Sequence, residues 1–248
     1  MSGRRVLVVR SGANPFLSLG SSSAVEVVER SSHTIEAVAA PSERVETPPD
    51  LVVFTSQVAV ERAATDPKLA FVLGATARGA RLAAIGPVTA QALAEHGLPP
   101  RITAAGSAEA LFDKLPPNLS GWKVLFPCGE DAAEELPAGL RARGARVERL
   151  VIYRKIPRPH DRALEREILE HPFAAFCTTS PSAVRWLFDG LESDAADRLR
   201  RTDAVVLGHH TRRYLEELGV DRIVVTPTPS FAAALQLLED LATDDAAS

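Results

Sequence analysis

Short apolar runs alternate with amphipathic stretches through most of the chain. The clearest example lies near the middle, where an apolar run at 124–126 is followed by a stretch with leucines at helical spacing. A turn at 127–129 separates the two, Gly144 fits the position that ends a helix, and the β-branched run 147–153 is typical of a buried strand. This pattern predicts a strand, a turn, a helix and a second strand.

The same order of elements occurs twice in the chain. The first apolar run, 6–9, is similar to 124–126, and three further pairs of segments follow in matching order. These pairs are 54–60 with 178–184, 85–97 with 207–219, and 103–111 with 226–235. Each pair is offset by about 120 residues, and similarity at one constant offset indicates a repeated structural unit. The sequence therefore predicts two copies of one α/β unit.

Two polar, proline-containing segments, Pro41–Asp50 and Arg154–Pro159, read as extended linkers between the two copies. We therefore expect the chain to leave the first domain early, to build the second domain completely, and then to return. The first domain is predicted to be discontinuous, comprising 1–40 and 160–248, and the second is predicted to span 43–156. A chain of 248 residues with 46% hydrophobic residues can bury two modest cores.

Strands and helices alternate within each predicted domain. The first helix is expected over 16–24, after the strand at 6–9. A helix after each strand favours a mostly parallel sheet with helices on both faces. Five strands per domain suggest a flavodoxin-like order, so the predicted fold class is α/β with two flavodoxin-like domains. Ligands of such sheets bind where strands end and the next helices begin. Those positions are Thr55–Ser56, Gly86–Thr89, Gly106–Ser107, Cys128–Gly129, Thr179–Ser180, Gly208–Thr211 and Pro229–Ser230.

These strand ends combine free backbone N–H groups at helix starts with several hydroxyl side chains. Both features favour bound anions, because the first N–H groups of a helix lack intrahelical partners and lie at the positive end of its dipole. Two such rows facing each other across a cleft would suit a large polyanionic ligand. Serine and threonine are also ordinary helix caps that contribute ~1 kcal/mol each without any ligand, so the pattern alone leaves both interpretations open.

Composition and charge narrow the range of partners. The net charge of -4 disfavours a general nucleic-acid binder, although arginines cluster over 141–149 and at Arg212–Arg213. No apolar run is long enough to span a bilayer and the first residues do not form a secretory signal, so we expect a cytoplasmic protein without a membrane partner. Cys128 and Cys177 are expected to be reduced and buried, since two distant cysteines make neither a disulfide framework nor a metal site.

The usual catalytic motifs are absent, including G-x-S-x-G, G-x-x-x-x-G-K-[ST], C-x-x-C and H-E-x-x-H. His209 and His210 are adjacent and have no recurring carboxylate or thiol partner nearby, which argues against a metal site, and no cofactor is indicated. Tyr153 breaks the repeat, since Thr34 occupies the corresponding position. It either faces the predicted cleft or simply closes the central strand.

Six short motifs occur in one order: FTSQVAV from 54, IGPVTAQAL from 85, VLFPCGE from 124, VIYR from 151, TTSPSAV from 178 and LGHHTRRYLEELG from 207. Together they resemble the uroporphyrinogen-III synthase family from Val6 to Leu241. The resemblance implies two flavodoxin-like domains joined by a two-stranded linker, and we expect a monomer. It also implies an enzyme that closes hydroxymethylbilane, a linear tetrapyrrole with many carboxylates, to uroporphyrinogen III. Water is lost and the last pyrrole is inverted through a spiro intermediate, without metal or cofactor.

The same resemblance assigns roles to individual residues. It implies that Tyr153 assists the departure of the substrate hydroxyl. It implies that four helix-start hydroxyls hold substrate carboxylates together with neighbouring backbone amides: Ser56, Thr89, Ser180 and Thr211. The chain departs from the family just before the last of these, where two histidines replace the usual Pro-Thr.

The chemistry implied by the resemblance agrees with the missing catalytic motifs. The cation left when water departs from a hydroxymethylpyrrole forms readily, so the enzyme must control conformation rather than supply a strong nucleophile. Two other classes also fit a two-domain α/β layout. One is a binding or sensor module for a polycarboxylate, whose periplasmic form needs an export signal. The other is a glycosyltransferase-like enzyme, whose domains are usually larger.

Overall fold

The computed structural model describes residues 4–12, 25–38, 48–160, 162–228 and 230–244. They form two compact units, of which unit 1 comprises 1–35 and 156–248 and unit 2 comprises 36–155. Each unit contains a parallel sheet with helices, so the predicted α/β fold class is confirmed. The helix expected over 16–24 and most of the first predicted linker lie outside the described residues.

The described strands are β1 (Arg4–Ser11), β2 (Val25–Ala37), β3 (Leu51–Phe54), β4 (Arg81–Ile85), β5 (Ile102–Ala104), β6 (Lys123–Gly129), β7 (Arg146–Pro157), β8 (Ala175–Thr178), β9 (Asp203–Val206) and β10 (Ile223–Val225). The described α-helices are α1 (Gln57–Thr65), α2 (Ala70–Gly74), α3 (Pro87–Glu95), α4 (Ala108–Phe112), α5 (Glu135–Ala142), α6 (Arg162–Glu170), α7 (Pro181–Asp189), α8 (Ser193–Arg200), α9 (His209–Glu217) and α10 (Phe231–Asp244). Short 3-10 turns at Pro67–Leu69 and Thr76–Arg78 flank α2.

Strand order explains the internal repeat. Unit 1 has the order β10-β9-β8-β1-β2, which is the 2-1-3-4-5 order of flavodoxin when its strands are counted along the chain. Unit 2 has the order β7-β6-β3-β4-β5, which becomes the same order if β6 and β7 are counted first. The second copy is therefore a circular permutation of the first, because its two opening strands come last in the chain.

The apolar runs are continuous because both faces of the unit 1 sheet are covered by helices. Val6 and Val8 of β1 pack in a cluster with α10, whereas Leu7 and Val9 pack on the opposite face in a cluster with α6, α7, α8 and α9. Side chains of β3, β6 and the short β5 form a similar cluster with α4 and α5 in unit 2. Strands buried on both faces have no polar side to alternate with the apolar one.

The central strand is longer than the sequence predicts. We expected the apolar run to stop at Pro127 and a helix to open at the following turn, but β6 continues to Gly129 and α5 begins only at Glu135. Beyond Leu125, β6 pairs with β7 and no longer with β3, so the missing N–H of the proline is tolerated. Pro137 lies in the first turn of α5, where a helix needs no N–H donor.

The segment Arg154–Pro159, predicted as the second linker, is largely a continuation of β7, which runs to Pro157 instead of ending at Tyr153. Similarly, the sequence predicts that the first strand ends at Arg10, whereas β1 runs to Ser11. Extended segments with alternating side chains carry no local signal that separates a linker from the end of a strand.

Candidate active site

Two serines at strand ends act as helix caps. Ser56 follows β3 and its Oγ accepts a hydrogen bond from the N–H of Ala59 at 3.1 Å. Ser180 follows β8 and its Oγ accepts from the N–H of Ala183 at 3.3 Å. The structure therefore gives each serine the ordinary capping contact, which orients its Oγ at the carboxyl edge of its own sheet. Ser107 and Ser230 cap α4 and α10 in the same way.

Tyr153 lies beside Ser56 in unit 2. Its phenol oxygen is 3.0 Å from Ser56 Oγ, although 97 residues separate the two in the chain. The side chain is 3% exposed, and this burial raises the pKa of the phenol above its ordinary value, while the hydrogen bond with Ser56 opposes the rise. The phenol is therefore protonated at neutral pH and can act as a hydrogen-bond or proton donor.

Gly129 leaves the space that the Tyr153 ring occupies. A Cβ atom at this position would lie 2.8 Å from Cε2 and Cζ of Tyr153, so any larger residue would collide with the ring. Gly129 pairs with Tyr153 across an irregularity in the β6–β7 register, and the N–H of Glu130 donates to the carbonyl oxygen of Tyr153 at 3.0 Å. The sequence predicts Gly129 in a helix-opening turn and carries no local signal for its packing against the Tyr153 ring.

Thr89 and Thr211 occupy equivalent places in the two units. Each is the third residue of its helix, α3 or α9, and each is nearly buried, with 4% and 5% exposure. Both helices are preceded by a glycine, Gly86 or Gly208, that supplies no side-chain cap. The first N–H groups of α9, and those that follow Pro87 in α3, therefore lack the serine oxygen that caps α1 and α7, and such uncapped N–H groups are suited to binding an anion.

The two histidines before Thr211 open α9 and are exposed. His210 Nδ1 is 3.2 Å from a guanidinium nitrogen of Arg213, and the imidazole ring contacts Tyr214 edge-on. Among the described residues, no group of three or more His, Cys, Asp and Glu side chains could hold a metal ion. The described contacts of His210 are thus to neighbours on its own helix.

The structure brings some of the predicted residues together within each unit. In unit 2, Tyr153 and Ser56 are hydrogen bonded, and Thr89 lies on α3, which packs beside α1. In unit 1, Ser180 caps α7, and Thr211 lies on α9, which packs beside α7. Cys128, at another predicted position, opens no helix; its thiol is buried, and burial raises its pKa despite a nearby arginine. Pro229 lies outside the described residues.

Comparison with known proteins assigns the chain to a protein family. The sequence profile of the family described as uroporphyrinogen-III synthase HemD matches residues 5–236. This chain belongs to the uroporphyrinogen-III synthase family. A Methanothermobacter thermautotrophicus protein provisionally named uroporphyrinogen-III synthase is 35% identical, over 72% of each chain. The sequence-based resemblance is therefore confirmed.

Solved structures support the same fold. A mutant uroporphyrinogen III synthase from the extremely thermophilic bacterium Thermus thermophilus is similar with a TM-score of 0.64 and 24% identity, covering 96% of this chain and 99% of that one. A uroporphyrinogen-III synthetase from Helicobacter pylori has a TM-score of 0.59 and 18% identity, covering 97% and 100%. At these identities the likeness establishes the two-unit α/β fold.

Proposed function

We propose that the chain closes hydroxymethylbilane to uroporphyrinogen III, with loss of water and inversion of the last pyrrole ring. The hydrogen bond of 3.0 Å between Tyr153 and Ser56 is the observation that carries this proposal, in a chain whose family assignment spans 5–236. A buried, protonated phenol beside a helix-capping hydroxyl is a suitable donor to a departing hydroxyl group. The alternative of a polycarboxylate-binding module without chemistry does not need a proton donor at this position.

Tyr153 and Ser56 have complementary tasks in the proposed reaction. Ser56 Oγ accepts the N–H of Ala59, so its own hydrogen can point at the phenol oxygen of Tyr153. The phenol hydrogen is then available to the substrate hydroxyl, whose C–O bond breaks as water forms and a pyrrole-stabilised cation remains. Tyr153 is left as a phenolate, which Ser56 and the positive end of the α1 dipole stabilise until ring closure on the cation releases a proton from a pyrrole and restores the phenol.

The carboxylates of the substrate provide the binding energy that controls its conformation. We assign them to the amino ends of α3 and α9 with Thr89 and Thr211, and to the amino ends of α1 and α7, where backbone N–H groups beside the capping residues Ser56 and Ser180 are the donors. Amide groups held rigidly by helices bind anions without reorganising, which suits a reaction whose difficulty is the choice of attacked carbon.

Three further properties belong to the same proposal. The ranges 1–40 with 160–248, and 43–156, act as the two domains. The protein works as a cytoplasmic monomer without a nucleic-acid or membrane partner, and its two buried, free cysteines suit a reducing compartment. None of the described helices has the length and apolar character needed to cross a membrane. Sedimentation of the purified protein across a concentration series tests the monomer.

The reaction is tested by supplying purified protein with hydroxymethylbilane and separating the oxidised porphyrin isomers. We expect type III product in excess over the type I product that forms spontaneously. Tight binding of the substrate with only type I product would instead support the binding module.

A further inference from the structure

Arg149 makes an unusual set of contacts on β7, the strand that also carries Tyr153. Its Nη2 donates to the carbonyl oxygens of Glu130 at 2.7 Å and Ala132 at 3.0 Å, and lies 3.4 Å from that of Gly129. Its Nε lies 3.4 Å from the sulfur of Cys128. The Arg149 guanidinium therefore contacts every residue of the segment 128–132 except Asp131.

We call residues 129–132 the ring turn, because this turn packs against the Tyr153 ring. The N–H of Ala132 donates to the carbonyl of Gly129 at 3.1 Å, which closes the turn. Its first residue lies against the Tyr153 ring, and its second donates to the Tyr153 carbonyl. Asp131 makes a separate ion pair, in which the ammonium of Lys155 lies 3.0 Å from its Oδ2. The placement of the Tyr153 ring thus depends on the shape of the ring turn.

We propose that Arg149 is a positioning residue, whose guanidinium holds the ring turn in the shape that keeps the Tyr153 phenol against Ser56. As a contribution to catalysis this role rests on the function proposed above. As a statement about structure it stands alone. The family resemblance drew attention to Tyr153, whereas the arginine is identified only by its contacts.

The geometry of the contacts requires arginine in particular. Nη2 supplies two N–H groups to the carbonyl oxygens of the ring turn, Nε directs a third at the Cys128 sulfur, and the planar guanidinium holds these N–H groups in fixed directions. The hydrogen bond to the Cys128 sulfur fixes the Nε end, so the Nη2 end is directed at the ring turn. A lysine ammonium can donate to some of the carbonyls but cannot bridge the thiol and the turn together.

The ring position can be measured without the enzyme reaction. The chain has two tyrosines, so in a Tyr214→Phe background Tyr153 is the single phenol, and its ionisation is followed by ultraviolet absorbance. Arg149→Met should lower the ionisation midpoint towards ~10, because a loosened ring turn admits water to a phenol whose pKa is raised by burial. Arg149→Lys should give an intermediate midpoint. Circular dichroism at each pH verifies that the fold is intact.

The same variants, in the natural Tyr214 chain, should separate turnover from binding. Arg149→Met should lower kcat about 10- to 100-fold, since a displaced catalytic group costs rate steeply, and should leave KM nearly unchanged. Arg149→Lys should recover part of kcat. The matched control is Arg146→Met, which removes an exposed arginine of the same strand whose side chain makes no hydrogen bond or ion pair with the described residues. This control should behave like the parent.

Two results would overturn the positioning role of Arg149. The positioning role is overturned if Tyr153 ionises at the same midpoint in Arg149→Met as in the parent while the fold is intact. Equal losses of kcat in Arg149→Met and Arg146→Met overturn it as well. If the parent forms no type III product the proposed function fails, but the Tyr153 titration still decides whether Arg149 positions the ring.

Discussion

Replacing Tyr153 with phenylalanine tests the proposed acid with the smallest change that the structure allows. The ring and its contact with Gly129 remain, and only the hydroxyl that lies 3.0 Å from Ser56 is lost. Ser56 keeps its contact with the N–H of Ala59. Loss of one hydrogen bond of this kind costs about 0.5–1.5 kcal/mol, so the melting temperature should fall by only a few degrees and the fold should persist.

The effect on turnover should be much larger than the effect on stability. General-acid catalysis typically contributes ~10²–10⁴-fold, and a substrate that ionises readily needs the lower end of that range. We therefore expect Tyr153→Phe to lower kcat about 100-fold, equivalent to about 2.7 kcal/mol of transition-state stabilisation. The product should still be type III, because the groups assigned to the carboxylates are unchanged.

The assay combines initial rates with separation of the porphyrin isomers and a thermal melt of each variant. Tyr214→Phe is the matched control, because it makes the same chemical change at the other tyrosine of the chain. Full turnover in Tyr153→Phe would reduce Tyr153 to a strand-end residue and refute the argument. Release of mainly type I product would mean that the phenol holds the inverted ring and does not protonate the hydroxyl.

Three other predictions follow from contacts at the strand ends and in the core. Gly129→Ala should displace the Tyr153 ring, cost about 1–3 kcal/mol in urea unfolding and lower kcat, because its Cβ would lie 2.8 Å from ring atoms; unchanged stability and rate would contradict the packing. Thr89→Val and Thr211→Val should raise KM several-fold with little change in melting temperature, whereas lower melting temperatures with unchanged KM would mark structural residues. Burial raises the pKa of Cys177 from 9.0 to about 12, so the unfolded state loses this proton first and the free energy of unfolding should fall between those pH values. Cys177→Ala should reduce the fall of the unfolding free energy with pH, measured by chemical unfolding across this pH range. An equal fall in the parent and in Cys177→Ala would assign the pH dependence to other groups.

Sequence reasoning predicted the features that depend on neighbouring residues. Apolar runs with turn residues between them marked the strands, and repetition of their order predicted two flavodoxin-like units. Serines just before helical patterns marked the caps, and Ser56 and Ser180 accept the expected N–H groups. These features are local, because a helix cap or a buried strand involves residues only a few positions apart. A single stretch of chain therefore contains the whole signal.

Features that join distant segments were decided by the tertiary structure. β6 extends past the point where β3 stops pairing with it because β7 pairs with it as far as Gly129, and no residue near Pro127 indicates that partner. Tyr153 and Ser56 were each singled out from the sequence, but their contact arises because parallel strands bring their carboxyl ends to one edge. In the sequence Arg149 is only one of the arginines that cluster over 141–149, and the fold places its guanidinium against the ring turn. The sequence determined which elements form, because periodicity and capping are local; only strand pairing across the sheet determined which side chains meet, because those contacts link positions far apart in the chain.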